Sequence, residues 1–300
     1  MVKPSVLKSY ETERLKYFLF SFKMIKMKIK YYWILAIVIT VSAAIYQRAT
    51  GPTYPKKIKV EVNHVKYPLK LVRSLGLDEV SEVKLNISDP TISAKIYYRR
   101  YLSKGEFQSV DFKFRSTPIH SFIMNKIFNV NKKEDYFANV PQQAAAGKIE
   151  YYFDITDASG TKNYLKETPV VIRFKGGVPG FILIPHIFFM FLAMLFSTLA
   201  GLLAAFNNAL FRKYGLWTLG CLFVGGMVLG PFVQLYAFGD LWTGIPFGWD
   251  LTDNKTLIAF AFWVLAVVMN YKKSRPIYTV VAAVVLLLIY SIDYNTLRQS

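Results

Sequence analysis

Between Phe181 and Phe206 the chain reads FILIPHIFFMFLAMLFSTLAGLLAAF, 26 positions with one histidine and no formally charged residue. A helix rises about 1.5 Å per residue, so this run crosses a hydrocarbon core of roughly 30 Å with some tilt. A second run extends from Leu216 to Phe238, and two shorter ones cover Thr256–Met269 and Ile277–Ile292. Another, Tyr31–Tyr46, precedes them all. The shorter runs reach span length only with their flanks. The expectation is a membrane protein with five spans, at 31–46, 181–206, 216–238, 256–271 and 277–292.

The chain is 53% hydrophobic with a formal net charge of +18, and the charge alone would suit a nucleic-acid binder. The apolar runs argue against that partner and make membrane lipid the first one. Charge then reads as topology. Eight Lys/Arg precede Tyr31, Arg212 and Lys213 sit in one short connector, and Lys272, Lys273 and Arg275 in another. The remaining short loop, Gly239–Lys255, carries three Asp and one Lys. The positive-inside bias puts the basic 1–30 segment in the cytoplasm. Residues 47–178, the acidic loop and the C-terminus then lie outside a bacterial inner membrane. Read from Met27, the basic start, apolar centre and small residues Ser42–Ala44 also have the build of a signal peptide. About thirty residues before the run favour an uncleaved anchor instead. The one cysteine, Cys221, lies in an apolar span. The outer segment therefore holds together without a disulfide, and no cysteine-built zinc or iron–sulfur site exists.

Residues 54–175 change character. Period-two alternation recurs in KIKVEV (Lys57–Val62), VKLNI (Val83–Ile87), AKIYYRRY (Ala94–Tyr101), VDFKF (Val110–Phe114), KIEYYFDI (Lys148–Ile155) and PVVIRFK (Pro169–Lys175). Turn signals at Ser88, Ser103 and Asp157 separate them. Short alternating strands at this spacing predict an antiparallel β-sandwich. The stretches AKIYYRRYLSKGEFQSVDFKF and DYFANVPQQAAAGKIEYYFDITDASG resemble the Ig-like or fibronectin-III-like modules of bacterial exported proteins. That resemblance covers about 80 residues and implies a recognition or spacer role with no catalytic residues. His64 and His120 have no second ligand at metal spacing and read as packing or surface residues. Tyr97, Tyr98 and Tyr101 beside Arg99 and Arg100 read as a strand with Tyr on both faces, with sugar or peptide stacking as the alternative.

In the helical region, Gly176, Gly177, Pro179 and Gly180 predict a hinge or tight turn. His186 follows Pro185 near the outer end of its span, and an ionisable residue inside a span is a functional candidate. Its sharpest version is a haem ligand. Met190 and Met194 share its face, so a second axial ligand would have to come from another helix, such as Met227 or Met269. Ser197, Gly201 and Ala205 in one span, and Gly226 with Gly230 in the next, are small residues at four-residue spacing that let helices approach closely. Gln234 follows Pro231 and can satisfy backbone freed by it.

The acidic loop, GDLWTGIPFGWDLTDNK, raises two readings. Asp253 or Thr252 can cap the following helix, and Trp242 and Trp249 suit an aromatic belt. Asp240, Asp250, Asp253 and Asn254 together could offer oxygen ligands, but without the spacing of a calcium loop they carry no metal assignment. The segment Gly230–Phe260 resembles a recurring stretch, GPxxQxxAFGxxWTGxPxGxDLTDNKT, of uncharacterised bacterial multi-span inner-membrane proteins, and Pro185–Leu202 resembles their preceding span. Those proteins carry a second His near the end of the last span. Here YSIDY (Tyr290–Tyr294) has none, so no paired-His cofactor follows. The sequence contains no serine–histidine–acid set, Walker loop or dinucleotide fingerprint. The expected role is non-enzymatic, a subunit or accessory of a membrane complex bound to another membrane or periplasmic protein. The alternative is a small redox or transport unit built on His186. The loop is expected to act as the interaction surface, through Asp240, Trp242, Trp249, Asp250 and Asp253.

Overall fold

The structure is a computed structural model that describes residues 28–51, 53–118 and 132–291. It divides into a β unit, 50–178 with 236–239, and a helical unit formed by the rest.

The β unit contains β1 (Lys56–Val62), β2 (Val65–Leu71), β3 (Ser74–Gly76), β4 (Glu82–Leu85), β5 (Ser93–Arg100), β6 (Gln108–Asp111), β7 (Lys113–Pro118), β8 (Lys132–Asn139), β9 (Lys148–Asp157), β10 (Gly160–Tyr164) and β11 (Val170–Lys175). One sheet has the order β3-β11-β9-β5-β6, with β10 pairing the far half of β9. A second has the order β4-β8-β7, and β1 and β2 form a hairpin. Side chains of all three bury in one core, among them Val62, Leu71, Leu85, Ile96, Tyr151, Phe153 and Phe174. The centre is β9, where Ile149, Tyr151, Phe153 and Ile155 fill the core face. Its opposite face keeps Glu150 near burial, held by Arg99 at 2.6 Å. Register sets Tyr97 opposite Tyr152, and the rings stack at 4.8 Å. Arg99 is thus a paired side chain.

Three differences from the expected strands have physical causes. The anticipated single strand Val110–Phe114 is two, because Phe112 turns into the core and its N–H donates to Ala94 O at 2.9 Å. The chain then changes sheets. β8 is not among the strands marked by alternation. It carries Asp135, buried at 2% exposure, whose carboxylate takes two hydrogen bonds from Arg115, at 3.1 and 3.3 Å. A buried charge so held forms part of a strand that hydrophobic alternation alone cannot show. Finally, β3 runs parallel to β11, so the sheet is not wholly antiparallel. His120 lies outside the described residues. His64 occupies the β1–β2 turn with φ 65°, next to Asn63 at φ 45°. Both values fit a two-residue turn of the I′ kind.

The helical unit comprises α1 (Ile29–Thr50), α2 (Gly180–Ala205), α3 (Phe211–Leu222), α4 (Gly230–Phe238), α5 (Leu251–Tyr271) and α6 (Pro276–Ser291). A π-helical segment, Phe223–Leu229, joins α3 to α4. Among the described residues, α1, α2, the continuous α3–α4 rod and α5 are four helices long and apolar enough to cross a membrane. The fifth expected span, α6, has 16 residues. Trp263 and Ala266 of α5 pack with Ala200 of α2, Leu222 of α3 and Ala282, Ala283 and Leu286 of α6. In α1, Tyr32 and Ala36 bury against Leu199, Leu203 and Phe211. These contacts join one face of α1 to α2 and α3.

Candidate functional site

The π segment has a local cause. Pro231 has no N–H to give to the carbonyl four residues back, and the Gly230 N–H reaches five residues back, to Gly225 O. The Gly225 carbonyl of this widened turn also faces His186 of α2. Such segments recur at functional sites. Gly225 also has to be glycine, since a Cβ would stand 2.9 Å from Phe189 Cβ and 3.2 Å from the Met190 nitrogen. α2 therefore lies directly against the π segment.

His186 uses that proximity. Its Nδ1 lies 2.8 Å from Gly225 O. A carbonyl only accepts, so Nδ1 carries the proton and Nε2 keeps its lone pair. The half-buried ring lines a cavity of about 390 Å³ with Ala44 and Gln47 of α1, Met190 and Met194 of α2, Leu222 of α3, Thr252 and Thr256 of α5, and Leu286 and Tyr290 of α6. The cavity lies where α2 and α5 begin and α1 and α6 end, as expected for helices that alternate in direction along the chain.

The polar groups here differ in how far they are satisfied. Thr256 Oγ1 donates to Thr252 O at 3.1 Å. The Tyr290 hydroxyl is buried without a hydrogen-bond partner among the described residues. Thr256 lies close enough to interact with it, outside hydrogen-bond geometry. Sequence reasoning missed Tyr290, Thr256 and Gln47. The i, i+4 pair Thr252 and Thr256, on one face of an apolar helix, was the available signal.

Met190 and Met194 line the cavity beside His186 from the same helix. Among the described residues, the methionines named as second ligands on other helices, Met227 and Met269, do not share the cavity with His186. Met269 borders the opposite end of α5 with Lys272 and Arg275. Among the described residues no group of three His, Cys, Asp or Glu could hold a metal ion.

Beside the cavity, the loop after α4 closes on itself. Asp250 is the N-cap of α5, accepting from the N–H groups of Thr252 at 2.9 Å and Asp253 at 3.3 Å. The cap expected from Asp253 or Thr252 thus belongs to Asp250. Asp253 is instead buried and binds the loop, with its carboxylate accepting from Thr243 N–H at 2.6 Å and Thr243 Oγ1 at 3.1 Å. Asn254 accepts from Ile245 N–H at 2.7 Å, and Gln234 donates to Thr243 Oγ1 at 2.9 Å. Gly244 permits this closure, because a Cβ there would meet Asp253 Cβ at 2.7 Å and Asn254 Oδ1 at 2.8 Å. Trp242 is half-buried and donates to Ile245 O at 3.1 Å. Asp240 is exposed and outside the network, while Phe247 and Trp249 are 82% and 87% exposed.

The small residues occupy helix crossings. A Cβ on Gly201 would lie 2.5 Å from Ala283 Cβ of α6, and one on Gly226 would lie 2.7 Å from Thr256 Cγ2 of α5. Gly230 is roomier, with His186 Cε1 at 3.9 Å. Comparison with protein-family models and with curated proteins returns no match.

Proposed function

We propose that this chain is a non-enzymatic integral protein of a bacterial inner membrane, with its N-terminus in the cytoplasm. Its β unit is an exported Ig-like module that serves recognition or assembly within a membrane complex. The Ig-like reading draws support from the shared core of the sheets and from the return of the last strand beside an early one. The anchor reading of the first span draws support from its packing in the bundle.

The observation that carries the assembly role is the loop Gly239–Lys255. Asp250, Asp253 and Asn254 are spent inward, on the α5 cap, Thr243 and Ile245, and the resulting scaffold presents Phe247 and Trp249 outward. Large aromatic side chains held by a pre-formed scaffold lose little conformational entropy on contact and are typical anchors of interfaces. A belt residue needs only the ring, not the network behind it.

Phe247→Ala with Trp249→Ala is therefore expected to shift the gently solubilised protein to a smaller species on native gels, with its unfolding temperature unchanged. Asp240→Asn is expected to weaken the same assembly less, because it removes a rim charge. If the double variant migrates like the parent, the loop is an interfacial belt and the assembly role loses its support.

A further inference from the structure

The cavity around His186 is not used by the assembly role. Its volume, about 390 Å³, falls in the range of small-molecule sites, roughly 300–1,000 Å³. Its lining has the mixture such sites show, an apolar majority with a few convergent polar groups from separate helices. Ile187 and Phe191 line it and are also exposed, at 56% and 40%, on the outer face of α2. In a spanning bundle that face meets lipid, so one side of the cavity borders the hydrocarbon. Its ligand arrives as a lipid-soluble molecule.

The unfilled hydrogen-bonding groups then specify the head of that molecule. With Nδ1 committed to Gly225 O, His186 Nε2 can only accept. A ligand that reaches it must donate. The Tyr290 hydroxyl, buried and unpartnered, has a proton to give. A hydroxyl on the ligand answers both, donating to Nε2 and accepting from Tyr290. A carbonyl answers only Tyr290. The flanking Met190 and Met194 sulfurs and the Phe191 ring favour an aromatic ring next to that hydroxyl, since thioethers pack well against ring edges. We propose that this cavity is a binding site for a lipid-soluble hydroquinone, with His186 Nε2 accepting from a ring hydroxyl and Tyr290 donating to it. The site binds and discriminates, and no electron transfer is assigned to it.

The prediction separates two ligands that differ by two hydrogens. Purified full-length protein in phosphatidylcholine nanodiscs is dialysed against decyl-ubiquinol or decyl-ubiquinone, and bound ligand is counted by chromatography. Saturable binding of one ubiquinol per chain is expected, about tenfold tighter than ubiquinone. His186→Ala is expected to erase the preference. Tyr290→Phe, which removes only one oxygen, is expected to weaken both forms several-fold while keeping the preference, and it decides the matter if His186→Ala does not fold. Equal affinity for the two forms, binding that never saturates, or indifference to Tyr290→Phe would each overturn the proposal. So would a Soret band in the purified protein that disappears in His186→Ala, since Nε2 would then be bound to iron. Because the read-out is bound ligand and not assembly size, its failure is distinct from failure of the assembly role.

Discussion

Asn63 ties three turns of the β unit together. Its N–H donates to Asp157 Oδ2 at 3.0 Å, its amide NH₂ to Asp89 Oδ2 at 2.7 Å, and its Oδ1 accepts from Ala158 N–H at 3.2 Å. The Asp157 carboxyl is held down at about 2, from an ordinary 3.8, by hydrogen bonds from the Ser159 hydroxyl, the Asn63 N–H and the Ser159 N–H. Asp89 is also held low, first by the Thr91 hydroxyl and N–H and then by Asn63. A carboxyl whose folded value lies below its unfolded one stabilises the fold fully above the unfolded value, and that contribution vanishes as pH falls through the folded one. The unfolding midpoint of the β unit is thus expected to fall between pH about 4 and about 2. Asp157→Asn should flatten that fall. A midpoint with the same acid slope in parent and variant would show that Asp157 does not set it. At this scale the sequence was legible only in part. The turn at Asp157 could be read, but not the tie to Asn63, because a contact across 94 positions leaves no local trace.

The elements of the helical unit are held by close backbone approaches. Gly201 of α2 leaves no room for a Cβ against Ala283 of α6. Gly201→Ala is expected to destabilise the detergent-solubilised protein by about 1–3 kcal/mol, as over-packing of a tight contact does. Adding Ala283→Gly should restore most of that loss, and a thermal-unfolding double-mutant cycle measures it. Additive effects would place the cost elsewhere than at this crossing. The small-residue spacing in α2 was readable from the order of residues alone. The partner was not, since GxxxG patterns state that a close approach exists and not which helix makes it. The π segment was equally hidden. Pro231 announced a broken ladder, but whether the helix kinks or widens depends on the packing of α2 against Gly225. Among the strands, β9 was visible because its alternation is unbroken. The break at Phe112 was not, because the residue is apolar and in phase with both neighbours.

For the whole molecule, charge distribution makes the testable statement. With Cys221 replaced by Ala, Ser274→Cys in the basic α5–α6 connector is expected to resist a membrane-impermeant maleimide until the cytoplasmic face is opened. Lys104→Cys, on an exposed turn of the β unit, is expected to react from outside. The opposite pattern would invert the orientation. Length and hydropathy by themselves determined the apolar helices and the β-rich segment between the first two, because burial in lipid demands long uninterrupted apolar runs and a strand face demands alternation. The tertiary structure alone decided how the loop residues divide, with Asp250 capping, Asp253 stapling and Trp249 left outside. It alone also brought His186, Thr256 and Tyr290 to one cavity. Those residues lie on three helices, and only the packing of the helices determines which side chains face one another.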